Sequence, residues 1–188
     1  MEEGKISKEL ARIHAHLCGD GSVYTYKTQE KGRKKIAVIG YYNKNQRLLD
    51  NFRADFSKIF NVKMSMRNNR DVYVKSQKIF NKLISKFGKF GSKEWRIPRI
   101  IKKSNKYLLI EWLKAFFEDE AYHEKRYNRL KIKSMNLDGL KDIREILTSL
   151  NIFSSLTGPN CDKSYYLTIP KFDSILEFNG FVKVPIRK

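Results

Sequence analysis

Two carboxylates, Asp20 and Glu120, stand 100 residues apart, each at the end of an apolar stretch with helical spacing. Carboxylate oxygens brought together are hard ligands for a divalent cation. Such a cation polarises a phosphoryl group, activates a water and stabilises a leaving oxygen. Two adjacent like charges also repel, and a bound Mg²⁺ relieves that repulsion. An acid beside a helix end is ordinarily just solvated. These two differ because they hold equivalent places in a repeated stretch.

The first stretch runs from Leu10 to Gly21 and the second from Ile110 to Ala121. At the constant offset Ile13 falls on Leu113, Ala15 on Ala115, Leu17 on Phe117 and Asp20 on Glu120. Each reads as an apolar helix with a small residue on one face and the acid just past its end. Helices approach closely where small residues meet, so contact of Ala15 with Ala115 brings both acids to one mouth.

The elements around these helices repeat as well. Ser7 can cap the first helix, and Gly19 and Gly21 end it. A strand over Val23–Lys27, a basic hairpin tip over Lys31–Lys35 and a strand over Ile36–Tyr42 follow. A helix from about Asn45 to Phe60 carries Leu48, Leu49, Phe52 and Phe56 on one face. Strands near Val62–Arg67 and Asp71–Lys75 flank a turn at Asn68-Asn69, and Ile79, Leu83 and Phe87 mark a further helix. Gly88, Gly91 and Pro98 interrupt the periodicity. The second helix then recurs, followed by strands at Ala121–Lys125 and Arg129–Lys133 and a helix face of Leu140, Ile143, Ile146, Leu147 and Leu150. Strands near Ile152–Leu156 and Tyr165–Ile169 precede a last helix with Phe172, Ile175 and Leu176. The reading is α+β: two pseudo-symmetric αββαββα halves with antiparallel sheets, at 5–95 and 105–188, joined by a linker at 96–104.

Charge indicates the partner. Thirty-nine Lys and Arg (39 in all) against 20 Asp and Glu leave a net charge of +19 in 188 residues, which suits a polyanion, nucleic acid before an anionic membrane surface. No apolar run reaches the ~18 residues of a membrane span. Met1–Lys5 lacks the apolar core of a signal peptide. The 2 cysteines, Cys18 and Cys161, have no paired spacing and read as reduced thiols. A cytoplasmic protein, nucleoid-associated when bound to DNA, is expected.

Strand alternation puts Val72, Val74, Met64, Met66, Leu130 and Ile132 on one face of the sheets. Lys63, Arg67, Tyr73, Lys75, Arg129, Lys131 and Lys133 stand on the other. Lysine on a solvated sheet often does no more than keep it soluble. Cations on matching faces of two halves favour a duplex instead, since a β-ribbon fits the major groove. A strand of ~8 residues reaches ~26 Å, about eight base pairs, so two halves cover roughly sixteen. Arg33, Arg67, Arg70, Arg126 and Arg129 are the candidates for base edges, and Lys27, Lys35 and the other lysines for phosphate.

The paired stretches resemble the LAGLIDADG motif, and the chain is similar to a single-chain, two-motif, intron-encoded LAGLIDADG homing endonuclease. The nine-residue motif maps onto Ile13–Gly21 and Leu113–Ala121, with its metal-binding eighth position on Asp20 and Glu120. His14, His16, Cys18 and Ala121 depart from the commoner residues. The resemblance implies motif helices packed at the centre and a monomer that cuts both strands of a long pseudo-palindromic DNA site across the minor groove. It implies Mg²⁺, with Mn²⁺ able to substitute. Metal ligation would fall to Asp20 and Glu120 with Gly19, and to Asp119 if the register shifts by one. Basic residues near each site would be Lys44 and, beside Met135, Lys133. Intron RNA is a second partner the resemblance allows. The rival is a non-cleaving binder on the same scaffold, a splicing maturase or transcriptional regulator.

Other phosphodiester chemistries find little support. His14 and His16 lie two apart on a helix and point different ways. His123 is the only other histidine, so no His-Asn-His site arises, and no Gly-rich phosphate loop occurs.

Overall fold

A computed structural model describes residues 6–29 and 34–170. Arg33, most of the hairpin tip, and the helix expected around Phe172, Ile175 and Leu176 lie outside the described residues.

The first half comprises α1 (Lys8–Cys18), β1 (Gly21–Lys27), β2 (Lys35–Tyr42), α2 (Gln46–Phe60), β3 (Ser65–Arg67), β4 (Asp71–Lys75) and α3 (Gln77–Phe87). A short α4 (Arg99–Lys102) follows. The second half comprises α5 (Lys106–Glu120), β5 (Ala121–Glu124), β6 (Arg129–Ser134), α6 (Leu137–Ser149), β7 (Ser155–Thr157) and β8 (Tyr165–Ile169). The two four-stranded antiparallel sheets have the same spatial order, β1-β2-β4-β3 and β5-β6-β8-β7.

Period-two alternation sets the faces. In the first sheet Val23, Ile39 and Val74 lie in register, and one residue along so do Tyr24, Val38 and Lys75. In the second, Ala121, Ile132, Leu167 and Leu156 share one line, and Tyr122, Lys131, Thr168 and Ser155 the next. The first lines join a single core with the helices, and the second lines face the other side of each sheet, where Val38 and Thr168 are covered by their neighbours. Asn68 and Asn69 both take left-handed φ angles, as a tight hairpin turn demands.

Duplication extends to the caps. Asn45 and Asn136 cap α2 and α6 with their side chains. Asn61 and Asn151, both left-handed, turn the chain out of the same two helices. Val62 and Ile152 then pack toward the core before pairing begins, so β3 and β7 start three residues later than alternation suggests.

The segment between the halves is packed rather than loose. Trp95, Ile97 and Ile101 are buried, and the Trp95 carbonyl accepts from Asn136 Nδ2 at 2.6 Å. Asp142 on α6 accepts from two Arg96 nitrogens, Nε and Nη2 (2.8 and 2.9 Å), and from the Ile97 amide (3.0 Å).

Candidate active site

Helices α1 and α5 pack in parallel at the centre. Ala15, Ala115, Ile13 and Leu113 are all buried there, as small residues opposite one another require for close approach. Polar contacts run the length of the seam. Arg12 reaches Glu111 at 2.5 Å and grips Asp55 with two nitrogens at 2.6 and 2.7 Å. Trp112 donates its indole N–H to His14 Nδ1 at 2.9 Å. At the far end His16 Nδ1 meets Asp119 Oδ2 at 2.8 Å. His14 and His16 therefore face different partners and form no metal pair.

The two helices end differently. Gly19 leaves the helix after Cys18, so Asp20 lies beyond α1. Asp119 stays helical, so Glu120 is the last residue of α5 and not just past it. Gly21 is required at its position, because a Cβ there would sit 2.4 Å from Leu17 Cα as the chain turns into β1. Gly19 and Asp119, equivalent in the repeat, stand against each other. A Cβ on Gly19 would come within 3.0 Å of Asp119 Cβ. The side chain on one helix fills the space its counterpart leaves.

Asp20 and Glu120, the residues that follow this Gly19–Asp119 contact, are both half-buried. Asp119, expected to be a further metal ligand, turns inward instead and is 1% exposed. Its Oδ1 accepts from Tyr41 Oη at 2.6 Å and lies 3.3 Å from Asn43 Nδ2, while Oδ2 takes His16. Burial, and after it the charge of Asp119, pushes the Tyr41 phenol far above its ordinary pKa, so it remains a donor. Asn43 Nδ2 also donates to Asp20 Oδ2 at 3.0 Å. Its Oδ1 accepts from the Asn45 amide at 2.9 Å. Glu118 pairs with Arg47 at 2.8 Å. Cys18 is buried 3.7 Å from His14 Nε2, and burial holds its thiol well above the ordinary range, so it is no nucleophile.

Aligning the helix caps gives the second-half counterparts. Lys44 matches Met135, and Asn43 matches Ser134, whose Oγ accepts from the Asn136 amide at 3.1 Å. Lys44 is exposed beside Asn43. Lys133 stands on the open sheet face, paired with Asp162 at 2.6 Å.

From the two acids the chain runs directly into β1 and β5, the first strands of the two sheets. Arg67, Tyr73 and Lys75 line a shallow depression with Tyr24, Tyr26 and Ser22. Arg67 is held by Asp71 at 2.5 Å. Arg70 is exposed at the hairpin turn, and Lys63 precedes β3. Lys27 and Lys35 pair with each other at the outer end of β1 and β2, with register parity opposite to Tyr24 and Tyr26. On the second sheet Lys131 lies 4.4 Å over the Tyr166 ring, and Arg126 and Arg129 approach Tyr127 at 5.3 and 4.6 Å. Arg129 also pairs with Glu124, whose carboxyl it holds below its ordinary pKa.

Sequence reasoning missed His16, Tyr41 and Asn43 as site residues, and the open-face tyrosines Tyr24, Tyr26, Tyr122, Tyr127 and Tyr166. Alternation alone could have found Tyr24 and Tyr26, which interleave with Val23 and Thr25. Nothing local marks Tyr41 and Asn43, which reach the site only through the fold.

No family model matches the chain, and neither does any curated protein sequence. Solved structures do. Mesophilic variants of the homing endonuclease I-DmoI superpose with a TM-score of 0.69 at 19% identity, over 96% of this chain and 93% of theirs. I-DmoI in complex with DNA and Mn also gives 0.69 at 19% identity, over 95% and 97%. A mutant of I-SmaMI gives 0.60 at 10% identity, over 96% and 86%. The chain has the two-halved α+β fold of these LAGLIDADG homing endonucleases. Among the described residues no helix is long and apolar enough to cross a membrane.

Proposed function

We propose that this chain is a site-specific endonuclease that hydrolyses a phosphodiester in each strand of a long, pseudo-palindromic DNA duplex, using divalent cations. The observation that carries the reading is the parallel packing of α1 and α5. It sets the ends of the two helices side by side, Gly19 against Asp119, with Asp20 and Glu120 the next residues in each chain segment and β1 and β5 running on directly from them. Pseudo-symmetric halves suit a pseudo-palindromic partner. The reported complexes of I-DmoI with DNA and Mn and with DNA and Ca support the same partner and ion class.

The donor set fits a hard cation. Among the described residues no group of three or more His, Cys, Asp and Glu forms a closed cage. One or two carboxylates completed by water and phosphate oxygens is how Mg²⁺ is commonly held. Bound there, the ion would polarise the phosphate and lower the pKa of an attacking water. Asp20 and Glu120 would hold it, with the Gly19 carbonyl adjacent. Asn43 keeps the Asp20 carboxylate oriented. The open-face lysines and arginines would bind and register the duplex, as one monomeric chain carrying both half-sites.

The test is cleavage of a plasmid library carrying candidate intron-insertion sites, in Mg²⁺, Mn²⁺, Ca²⁺ or chelator. A defined double-strand break in Mg²⁺ and Mn²⁺ that chelator abolishes is the expected result. Sequence-specific binding of DNA or intron RNA with no break under any ion would replace the reading with a non-cleaving binder.

A further inference from the structure

Asp119 occupies the position that Gly19 holds in the other half, and its three polar partners, His16, Tyr41 and Asn43, all belong to the N-terminal half. A buried carboxylate is tolerable only when fixed donors satisfy it. Satisfying this one holds Asn43 both directly, at 3.3 Å, and through Tyr41, whose Oη donates to Asp119 and accepts from Asn43 Nδ2 at 3.2 Å; the other end of Asn43 is clamped by the Asn45 amide. The same Asn43 nitrogen lies 3.0 Å from Asp20 Oδ2. One amide thus joins the buried acid of the second half to the half-buried acid of the first.

We infer that Asp119 is a positioning residue for Asp20, holding Asn43 from across the seam and thereby setting the orientation of the Asp20 carboxylate. The inference rests on the proposed role of Asp20. The Asp119–Asn43 pair is not duplicated in the other half, since Gly19 carries no side chain and Ser134 stands where Asn43 does. Losing Asp119 should therefore disturb the Asp20 site before the Glu120 site, although Asp119 is the direct neighbour of Glu120. Adjacency alone predicts the opposite order.

Two measurements test this. In the free protein, hydrogen exchange of the Asn43 side-chain amide, assigned by comparison with Asn43→Ser, reads the clamp directly. Asp119→Ala should speed that exchange about tenfold or more. Asp119→Asn keeps an acceptor for Tyr41 and should fold even where Asp119→Ala does not, with a smaller change of the same sign. Unaltered exchange in both folded variants would overturn the inference.

On a DNA site identified by the plasmid-library cleavage, nicking is followed strand by strand. Asp119→Asn, and Asn43→Ala with Asp119 intact, should slow about tenfold the strand that Asp20→Asn slows. Equal slowing of both strands, or slowing of the strand that Glu120→Gln slows, would overturn it. Failure of the wild-type protein to cut any DNA would remove the endonuclease reading alone, and the exchange measurement would still decide whether Asp119 holds Asn43.

Discussion

Trp112 donates to His14 Nδ1 at 2.9 Å, a hydrogen bond between the two motif helices inside the core. The acceptor nitrogen must be unprotonated, and burial pulls the His14 pKa from its ordinary 6.5 down to about 3. The unfolded chain therefore takes up this proton first. The contribution of His14 to stability is level above about pH 6.5 and falls as pH drops from there toward 3, by at most ~1.4 kcal/mol per unit. His14→Gln keeps an acceptor for Trp112 and removes the titration. Urea midpoints between pH 7 and pH 4 should fall less steeply for the variant than for wild type. Equal slopes would place the acid sensitivity in other groups.

Gly139 sits in the first turn of α6 directly under the Trp95 ring. Helix propensity alone predicts that Gly139→Ala gains ~1 kcal/mol. The added Cβ, however, would meet the indole at 2.4 Å. Trp95 has little room to yield, with its carbonyl bound to Asn136 and its ring 5.2 Å from Phe116. Overpacking of this kind costs ~1–3 kcal/mol, so a net loss of up to about 2 kcal/mol is expected. Denaturant unfolding measures it, and a stabilised variant would mean that the segment between the halves is free to move.

Lys75 and Lys133 stand on the open faces of the two sheets with different electrostatic histories. Lys75 has no ion-pair partner among the described residues, whereas Lys133 already pairs with Asp162. A phosphate contact releases condensed counterions, worth ~0.9 in the slope of log affinity against log salt. Lys75→Ala should flatten the slope by about that amount. Lys133→Ala should flatten it less, because Asp162 has partly neutralised the lysine. Titrations at four salt concentrations decide it, and unchanged slopes in both variants would put the duplex elsewhere.

The sequence displays what local chemistry controls. Helical spacing of Leu10, Ile13 and Leu17 and alternation through Val72 and Val74 locate the elements, because one face of each must be buried. Asp20 and Glu120 could be paired from the repeat alone. The direction of Asp119 could not, because it depends on the empty space at Gly19 and on donors from β2 and the segment after it, far away in the chain. The loop acid that binds Lys133 was equally hidden, since no periodicity places Asp162 beside β6. Glu120 ended up within α5, not past it, because only the first helix has a glycine at the exit.

The sharpest prediction concerns the two acids themselves. Asp20→Asn retains an oxygen able to accept from Asn43 Nδ2, so the local geometry should persist while the charge is lost. Glu120→Gln is the matching change at the end of α5. Removing a metal-positioning carboxylate should cost ~3–5 kcal/mol of transition-state stabilisation, roughly a hundred- to several-thousand-fold in rate. Affinity for DNA without metal should fall little, and a slight gain is consistent with removing a negative charge near phosphate. If each acid serves one strand, each variant nicks; if they share an ion, either change suppresses both cuts. Nicked and linear products from supercoiled target, read beside binding in Ca²⁺, distinguish these outcomes. Wild-type cutting by both folded variants would sink the assignment of Asp20 and Glu120.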